Sequence, residues 1–257
     1  MKIQLISDLH NRTDQTFTLE SSDADLIILA GDIDKGLQGL DWARDTAVRL
    51  GKEIIYIAGD HEYYEQDMDV LIDALKTQTR QGPVHFLENS QYQGDGFRVL
   101  GCTFWYSAQG ANEKRGKKQL VDRLGEFAFI RKGQTLLDLA SLIKLHEESL
   151  QWLQAALETP YAGKTIVVTH HAPTMHSWPW TWIRNGGGSA PNWARPAFCN
   201  DLEWFVKEYQ PDLWLHGHVH CACEYQVEHT RVICNPHGFE PGEARGFDPG
   251  MLIELEL

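Results

Sequence analysis

The sequence predicts an α/β protein whose sheet begins parallel. Residues 3–7, 26–30 and 54–58 are short runs rich in Ile and Leu, each stopping at a polar cluster, which is the signature of strands buried on both faces. Helix-like sequence separates or follows them: residues 40–50 suit a short helix, and Val70, Leu71, Ala74 and Leu75 give a second helix its apolar face. Strand and helix alternating over the first eighty or so residues imply βαβ units.

Further strands are expected at residues 84–87, 98–103, 165–169 and 212–216, and a hairpin at 224–227 and 230–234 turning at Glu228-His229. Leu139, Ile143, Leu150, Leu153 and Leu157 recur at helical spacing, so residues 136–157 form the longest predicted helix, with its Leu face on the sheet. His146 lies near that face and reads as a structural histidine. Two segments fit neither period. Residues 107–133 are Lys-rich and broken by glycine, and residues 175–195 hold Trp178, Trp180, Trp182, Trp193 and Gly186-Gly187-Gly188; long irregular segments of this kind are candidates for lids over a site. The tryptophans suit either a packed lid or dimer contact, or stacking on a flat substrate group.

A chain of 257 residues, 42% hydrophobic, is long enough for one large core, and a single domain over residues 1–257 is expected. No stretch nears the roughly 18 apolar residues of a membrane span, and a charge arrives too soon in Met1–Asp8 for a signal peptide, so a cytoplasmic protein without membrane association is expected. Five scattered cysteines (Cys102, Cys199, Cys221, Cys223, Cys234) exclude a disulfide scaffold. Cys221-Ala222-Cys223 has poor spacing for structural zinc and no second pair, so buried thiols are expected. The net charge of −13 argues against binding long nucleic acids, whose phosphates recruit Lys and Arg.

The polar residues that end the predicted strands are of one kind: Asp8-Leu9-His10, Gly31-Asp32, Gly59-Asp60-His61-Glu62, His170-His171, and Gly217-His218-Val219-His220. Ligands of open α/β sheets bind beyond the carboxyl ends of the strands, so five segments deliver carboxylate and imidazole groups to one edge. Burying them together without counter-charge would lose several kcal/mol per ion. Metal ions remove that penalty, and mixed Asp and His ligation suits Mn, Fe or Zn better than Ca or Mg.

These motifs, in this order, resemble the calcineurin-like metallophosphoesterase superfamily, whose pattern runs Asp-x-His, Gly-Asp, Gly-Asn-His-Glu/Asp, His, Gly-His-x-His; the likeness covers residues 5–220. It implies a two-layered β-sandwich flanked by α-helices, classed α/β or, in some schemes, α+β. It also implies two divalent or trivalent metal ions, Mn and/or Fe with Zn as the alternative. By the resemblance Asp8, His10, Asp32 and His220 hold one metal, and Asp32 bridges to a second held by Asp60, His170 and His218. The implied function is hydrolysis of a phosphomonoester or phosphodiester, in which a metal-bridging hydroxide attacks phosphorus and His61 protonates the leaving oxygen; the acidic composition and the Trp-rich segment, not the resemblance, favour a small-molecule substrate. Asp34 is the candidate to orient His61, although it lies two residues after Asp32 where the protein-phosphatase branch has three.

Residue 60 departs from the pattern, Asp standing where Asn is expected. Three carboxylates then oppose the roughly four positive charges of two divalent ions, a less electrophilic centre. Glu62 reads as a partner of a ligand histidine or as a solvated loop residue. His171 and Arg184 are candidate substrate contacts, against a role for His171 in supporting His170 and a solvated Arg184; Arg195 shares the phosphate-clamp reading. Two alternatives stand beside this reading. One is a metal-binding scaffold with weak or no catalysis. The other is a metallo-β-lactamase-like centre using His216, His218 and His220, which expects an Asp-His pair where Cys221-Ala222 stands. There is no Gly-x-Ser-x-Gly elbow and no P-loop.

Overall fold

Apolar side chains in the strands alternate between two cores, and this builds a four-layer sandwich. The architecture is seen in a computed structural model that describes residues 1–12, 15–108, 114–178, 194–240 and 242–257. In chain order the elements are β1 (Lys2–Ile6), β2 (Leu26–Ala30), α1 (Gln38–Leu50), β3 (Glu53–Ile57), α2 (Met68–Gln78), β4 (Val84–Phe86), β5 (Ser90–Gln93) and β6 (Phe97–Cys102). They continue as α3 (Lys114–Arg123), α4 (Glu126–Phe129), β7 (Arg131–Lys132), β8 (Thr135–Leu136), α5 (Leu139–Glu158), β9 (Lys164–Thr169), α6 (Arg195–Phe198) and α7 (Glu203–Tyr209). The last strands are β10 (Leu213–His216), β11 (Cys223–Val227), β12 (Thr230–Cys234) and β13 (Leu252–Glu254).

One sheet runs β13-β1-β2-β3-β4 and the other β11-β12-β10-β9-β6-β5. The pairs β1–β2, β2–β3 and β3–β4 are parallel, as are β6–β9, β9–β10 and β10–β12, while the edges β13, β5 and β11 pair antiparallel. Side chains of Leu26, Ile28, Ile55, Ile57, Ile166, Val168, Leu213 and Leu215 form the core between the sheets. Their neighbours one residue away face outward, as a period of two requires. Ile27, Leu29, Ile54 and Tyr56 pack under Leu40 and Ala43 of α1 and Leu71 and Leu75 of α2, and Val167 and Trp214 pack under Leu153 of α5 and Phe205 of α7. Burial on both faces is why the central strands read as unbroken apolar runs.

The helix boundaries follow local chemistry. Asp67 and Asp138 cap α2 and α5 through their side chains, and Gly51 ends α1 in the left-handed conformation with φ 65°. The cap at Asp138 starts α5 three residues later than its apolar period suggests. Its innermost residues are Leu142, His146, Ser149 and Leu153, so the expected Leu face is rotated: Leu139 and Ile143 lean on one helix-facing core and Leu150 and Leu157 on the other. His146 is structural as expected, its Nδ1 lying 2.5 Å from the Trp105 carbonyl oxygen. Within residues 107–133 the described part carries the helices α3 and α4 and the short strand β7. The five cysteines are free thiols; Cys102, Cys199 and Cys234 are buried, whereas Cys221, just before β11, and Cys223, on that edge strand, are only half-buried. Among the described residues no helix is long and apolar enough to cross a membrane.

The C-terminal segment is tied to β1 by one fully buried amide. Asn235 Nδ2 donates to Leu5 O (2.8 Å) and Asp248 O (2.9 Å), and its Oδ1 accepts from Asp248 N (3.0 Å). Asn235→Ala removes three hydrogen bonds and strands buried backbone groups, so a loss of about 3 kcal/mol is expected. The urea midpoint measures it, and a midpoint matching the wild type contradicts this role.

Candidate metal centre

Five strand ends converge at one edge of the sandwich. β1 leads into Asp8 and His10, β2 into Asp32, β3 into Asp60 and His61, β9 into His170, and β10 into His218 and His220. The chain must turn sharply there to bring side chains back over the strand ends, and Asp8, His10, Asp32, His218 and His220 all take positive φ, from 43° to 69°. Such conformations cost a non-glycine residue roughly 1–2 kcal/mol each and cluster at functional sites. Gly31, at φ 88°, has no room for a side chain, since a Cβ there would collide with His170 Nδ1 and the backbone of Gly59. Backbone hydrogen bonds zip the loops together: Asp8 N to Gly31 O, His10 N to Asp32 O and Gly217 N to His170 O.

The side chains form overlapping clusters whose possible ligand atoms lie within 4.8 Å of one another: Asp32, Asp60, His170 and His218; Asp8, His10 and His220; and His10, Asp32 and His61. That spread suits donors around one ion at about 2.1 Å each. Asp32 joins the clusters through a single oxygen, with Oδ2 3.6 Å from His10 Nε2 and 3.5 Å from His170 Nε2. His10 Nε2 and His220 Nε2 are 3.1 Å apart, and His220 Nε2 is 3.5 Å from Asp8 Oδ1. His170 Nε2 and His218 Nδ1 each lie 3.2 Å from Asp60 Oδ1. All seven residues expected as ligands are therefore gathered. Within the 4.8 Å limit Asp32 groups with His10 and His61 rather than with the Asp8–His10–His220 trio as a whole.

Three of the histidines are held by their outer nitrogens. His170 Nδ1 donates to Ala30 O (2.9 Å), His218 Nε2 to Ala197 O (3.2 Å) and His220 Nδ1 to Glu243 Oε1 (3.1 Å). Each bond sets the ring and aims the other nitrogen at the carboxylates, the support that metal-binding histidines require. The electrostatics are those of a crowded buried site. Burial would raise Asp8, but His220, with His170 and His10 beyond it, holds it well below the usual carboxylate range. Burial also opposes ionisation of Asp60, which His61, His170 and His218 nonetheless keep ionised. Burial pulls His10 down to about 4, while His220 is raised to about 9 against its burial, by Asp8 and Glu243. His170 and His220 are the histidines pushed towards protonation by the carboxylates, and a metal ion taken up there would have to displace such protons. The donor set fits such ions: oxygen and nitrogen mixed, inward-facing and already oriented.

Glu62 departs from both readings made of it. It is fully buried, and its two oxygens accept from Asp32 N (2.9 Å), Gly59 N (2.7 Å), Ile33 N (2.7 Å) and Tyr56 Oη (2.9 Å). It fastens the ends of β2 and β3, and thus Asp32, without touching a ligand ring. His61 is half-buried, with its Nε2 3.7 Å from Asp60 Oδ2 and its ring stacked on Tyr64 at 4.3 Å. Asp34 lines a depression with His61, but its carboxylate accepts from Lys35 N. His171 is fully buried, with Trp105, Tyr106 and His218 around it; that seat suits support of the ligand histidines better than contact with substrate. His216 is turned away from the centre, its Nε2 2.8 Å from Ser177 Oγ, which removes the three-histidine row. Arg184, Trp180, Trp182, Trp193 and Gly186 to Gly188 lie outside the described residues.

In front of the clusters is a cavity of about 230 Å³, smaller than most drug-sized pockets. Beyond the metal-site residues its walls come from Tyr64, Arg123, Glu126, Phe198, Phe239 and Glu243, none of them singled out from the sequence. Glu126 is buried beside Asp60, and burial followed by that charge raises it to about 8.

The sandwich and its Asp/His clusters define the class: a metallophosphoesterase scaffold with two adjoining sets of metal donors. The profile of the calcineurin-like phosphoesterases matches residues 1–222, and the chain belongs to that family, whose members hydrolyse phosphoesters with dinuclear metal centres. No curated protein matches the sequence. Among solved structures the chain is similar to phosphopantetheinyl hydrolase from Mycobacterium tuberculosis, at 17% identity and TM-score 0.69, covering 95% of this chain and 91% of that one. It is also similar to a dimetal phosphatase from Danio rerio, at 13% identity and TM-score 0.56, covering 96% and 89%. Both likenesses show the shared fold.

Glu62→Gln places an amide NH2 against backbone donors. A stability loss of about 2 kcal/mol is expected, together with weaker Mn2+ binding as Asp32 shifts. Thermal unfolding and manganese titration read the two effects, and wild-type values in both contradict the fastening role.

Proposed function

We propose that this protein hydrolyses a phosphoester of a small molecule at a two-metal centre, one ion held by Asp8, His10, Asp32 and His220 and the other by Asp32, Asp60, His170 and His218. The observation that carries this reading is Asp32 Oδ2, set 3.6 Å and 3.5 Å from the inner nitrogens of two histidines in different clusters, where one carboxylate can serve both ions. When bound, such a pair of Mn, Fe or Zn ions supplies an acidified water and neutralises charge on the phosphoryl oxygens.

The chain's own residues supply the rest. His61 stands at the rim where the Asp32 and Asp60 clusters meet the cavity, and its imidazole protonates the departing oxygen. Its backbone N–H donates to Asp32 Oδ1 (2.9 Å), so acid and bridging ligand keep a set spacing. Stacking of Tyr64 and the edge of His10, at 4.5 Å, orient the ring that Asp34 does not reach. Arg123, at the mouth of the cavity, faces the phosphate or the anionic part of the substrate, and Tyr64, Phe198 and Phe239 enclose its apolar part. The cavity's size favours a compact substrate.

Two measurements test this. Protein loaded with Mn, Fe or Zn hydrolyses 4-nitrophenyl phosphate or its diester, and His61→Ala lowers kcat by roughly 10²–10⁴-fold; no turnover above that variant with any metal leaves a metal-binding scaffold as the reading. Asp60→Asn removes one of three negative charges, so both metals are retained and activity is equal or higher; a large loss of turnover contradicts this charge balance.

A further inference from the structure

We propose that Glu243 is a positioning residue that couples metal binding at the Asp8–His10–His220 cluster to closure of the aromatic wall carrying Phe239, so that the metal prepares the site for a planar or apolar substrate group. The proposal rests on the two-metal reading. The two oxygens of this carboxylate do different things. Oε1 takes the Nδ1 proton of His220 at 3.1 Å, aiming Nε2 at Asp8 and His10. Oε2 accepts the backbone N–H of Phe239 (2.6 Å) and of Glu240 (3.3 Å). The Phe239 ring lies stacked over His10 with centroids 4.1 Å apart, and flanks His220 at 4.9 Å and His61 at 5.4 Å.

The loop has a second anchor. His237 N donates to Ser7 O and Gly238 N to Asp8 O, so the residues just before Phe239 are bonded to the strand end that carries Asp8. Gly238 has φ 88°, and a Cβ there would stand 3.2 Å from Glu243 Oε2, closer than an ordinary contact, so loop and carboxylate are tightly apposed. Phe239 is nevertheless about half exposed. Little core packing holds it, and it lines the main cavity and two flanking grooves. With residues 237 and 238 bonded to the end of β1, the carboxylate is what sets the backbone of Phe239 and Glu240 beyond them. A cation on His220 polarises its Nδ1–H and strengthens the bond to Oε1, which steadies Oε2 and the backbone of Phe239. By linkage, a ligand seated against Phe239 raises metal affinity by the same factor.

The experiment titrates full-length apo protein with MnCl2 by calorimetry. It then titrates the Mn2+-saturated protein with phenylphosphonate, which carries a ring and is not hydrolysed. Glu243→Gln is expected to weaken one of the manganese sites by roughly 10–100-fold and, at saturating Mn2+, to weaken phenylphosphonate severalfold. Phe239→Ala is expected to lose a similar factor in phenylphosphonate while binding Mn2+ within about threefold of the wild type. Both residues are on the surface of a loop, and circular dichroism checks that each variant is folded. Wild-type manganese affinity in Glu243→Gln overturns the proposal, as does a manganese defect with unchanged phenylphosphonate binding at saturation, since the carboxylate then serves the histidine alone. Wild-type protein that binds none of Mn2+, Fe2+ and Zn2+ overturns the two-metal reading and this proposal with it.

Discussion

Three carboxylates brought together where water is excluded are the constraint on which the site depends. Asp8, Asp32 and Asp60 are almost wholly buried, and their ion-pair partners among the described residues are histidines. A permanent lysine or arginine in the cluster would settle the charge but occupy the space a cation needs. Histidine balances the carboxylates with protons that an ion can displace, so the same side chains are tolerable in the fold without an ion and suited to holding one. Burial and mutual repulsion are offset only in part by imidazole, which favours a cation among these side chains.

The scaffold holds this arrangement with backbone as much as with side chains. Parallel strands end together, so βαβ connections deliver their loops to one edge, and left-handed turns at five of the ligand positions fold the side chains back over it. That strain persists because the loops are bonded to each other and to Glu62, whose oxygens are filled by three backbone donors and one hydroxyl. A carboxylate so placed acts on the Asp/His cluster without joining it: it sets where β2 and β3 stop, and Asp32 and Asp60 follow.

Strand identity and the ligand-bearing turns were legible because each depends on neighbours in sequence. An apolar run of five residues buried on both faces is visible in isolation, as is an Asp-x-His directly after it. Ser90–Gln93 and Leu252–Glu254 were missed as strands because edge strands alternate buried and exposed residues over a short span, leaving too little pattern. Glu62 was misread because a loop glutamate looks solvated until the ends of two strands close over it. Glu126, Phe239 and Glu243 carried no signal at all: what they touch is set by long-range packing, Glu243 meeting a histidine 23 residues away and Glu126 standing beside Asp60 across the cavity.

The net charge of −13 bears on how such a centre meets an anionic substrate. At physiological ionic strength, fields from exposed carboxylates fade over about 8 Å, so the acidic exterior does little to repel a phosphoester that has reached the cavity. Inside it, the local balance decides. Asp32, Asp60 and Glu243 line the cavity against Arg123, and the protons that His170 and His220 favour offset the carboxylates only in part, which leaves the walls negative. Two bound cations reverse that sign at the same point. On the proposed two-metal reading, metal occupancy would therefore set substrate affinity as well as chemistry.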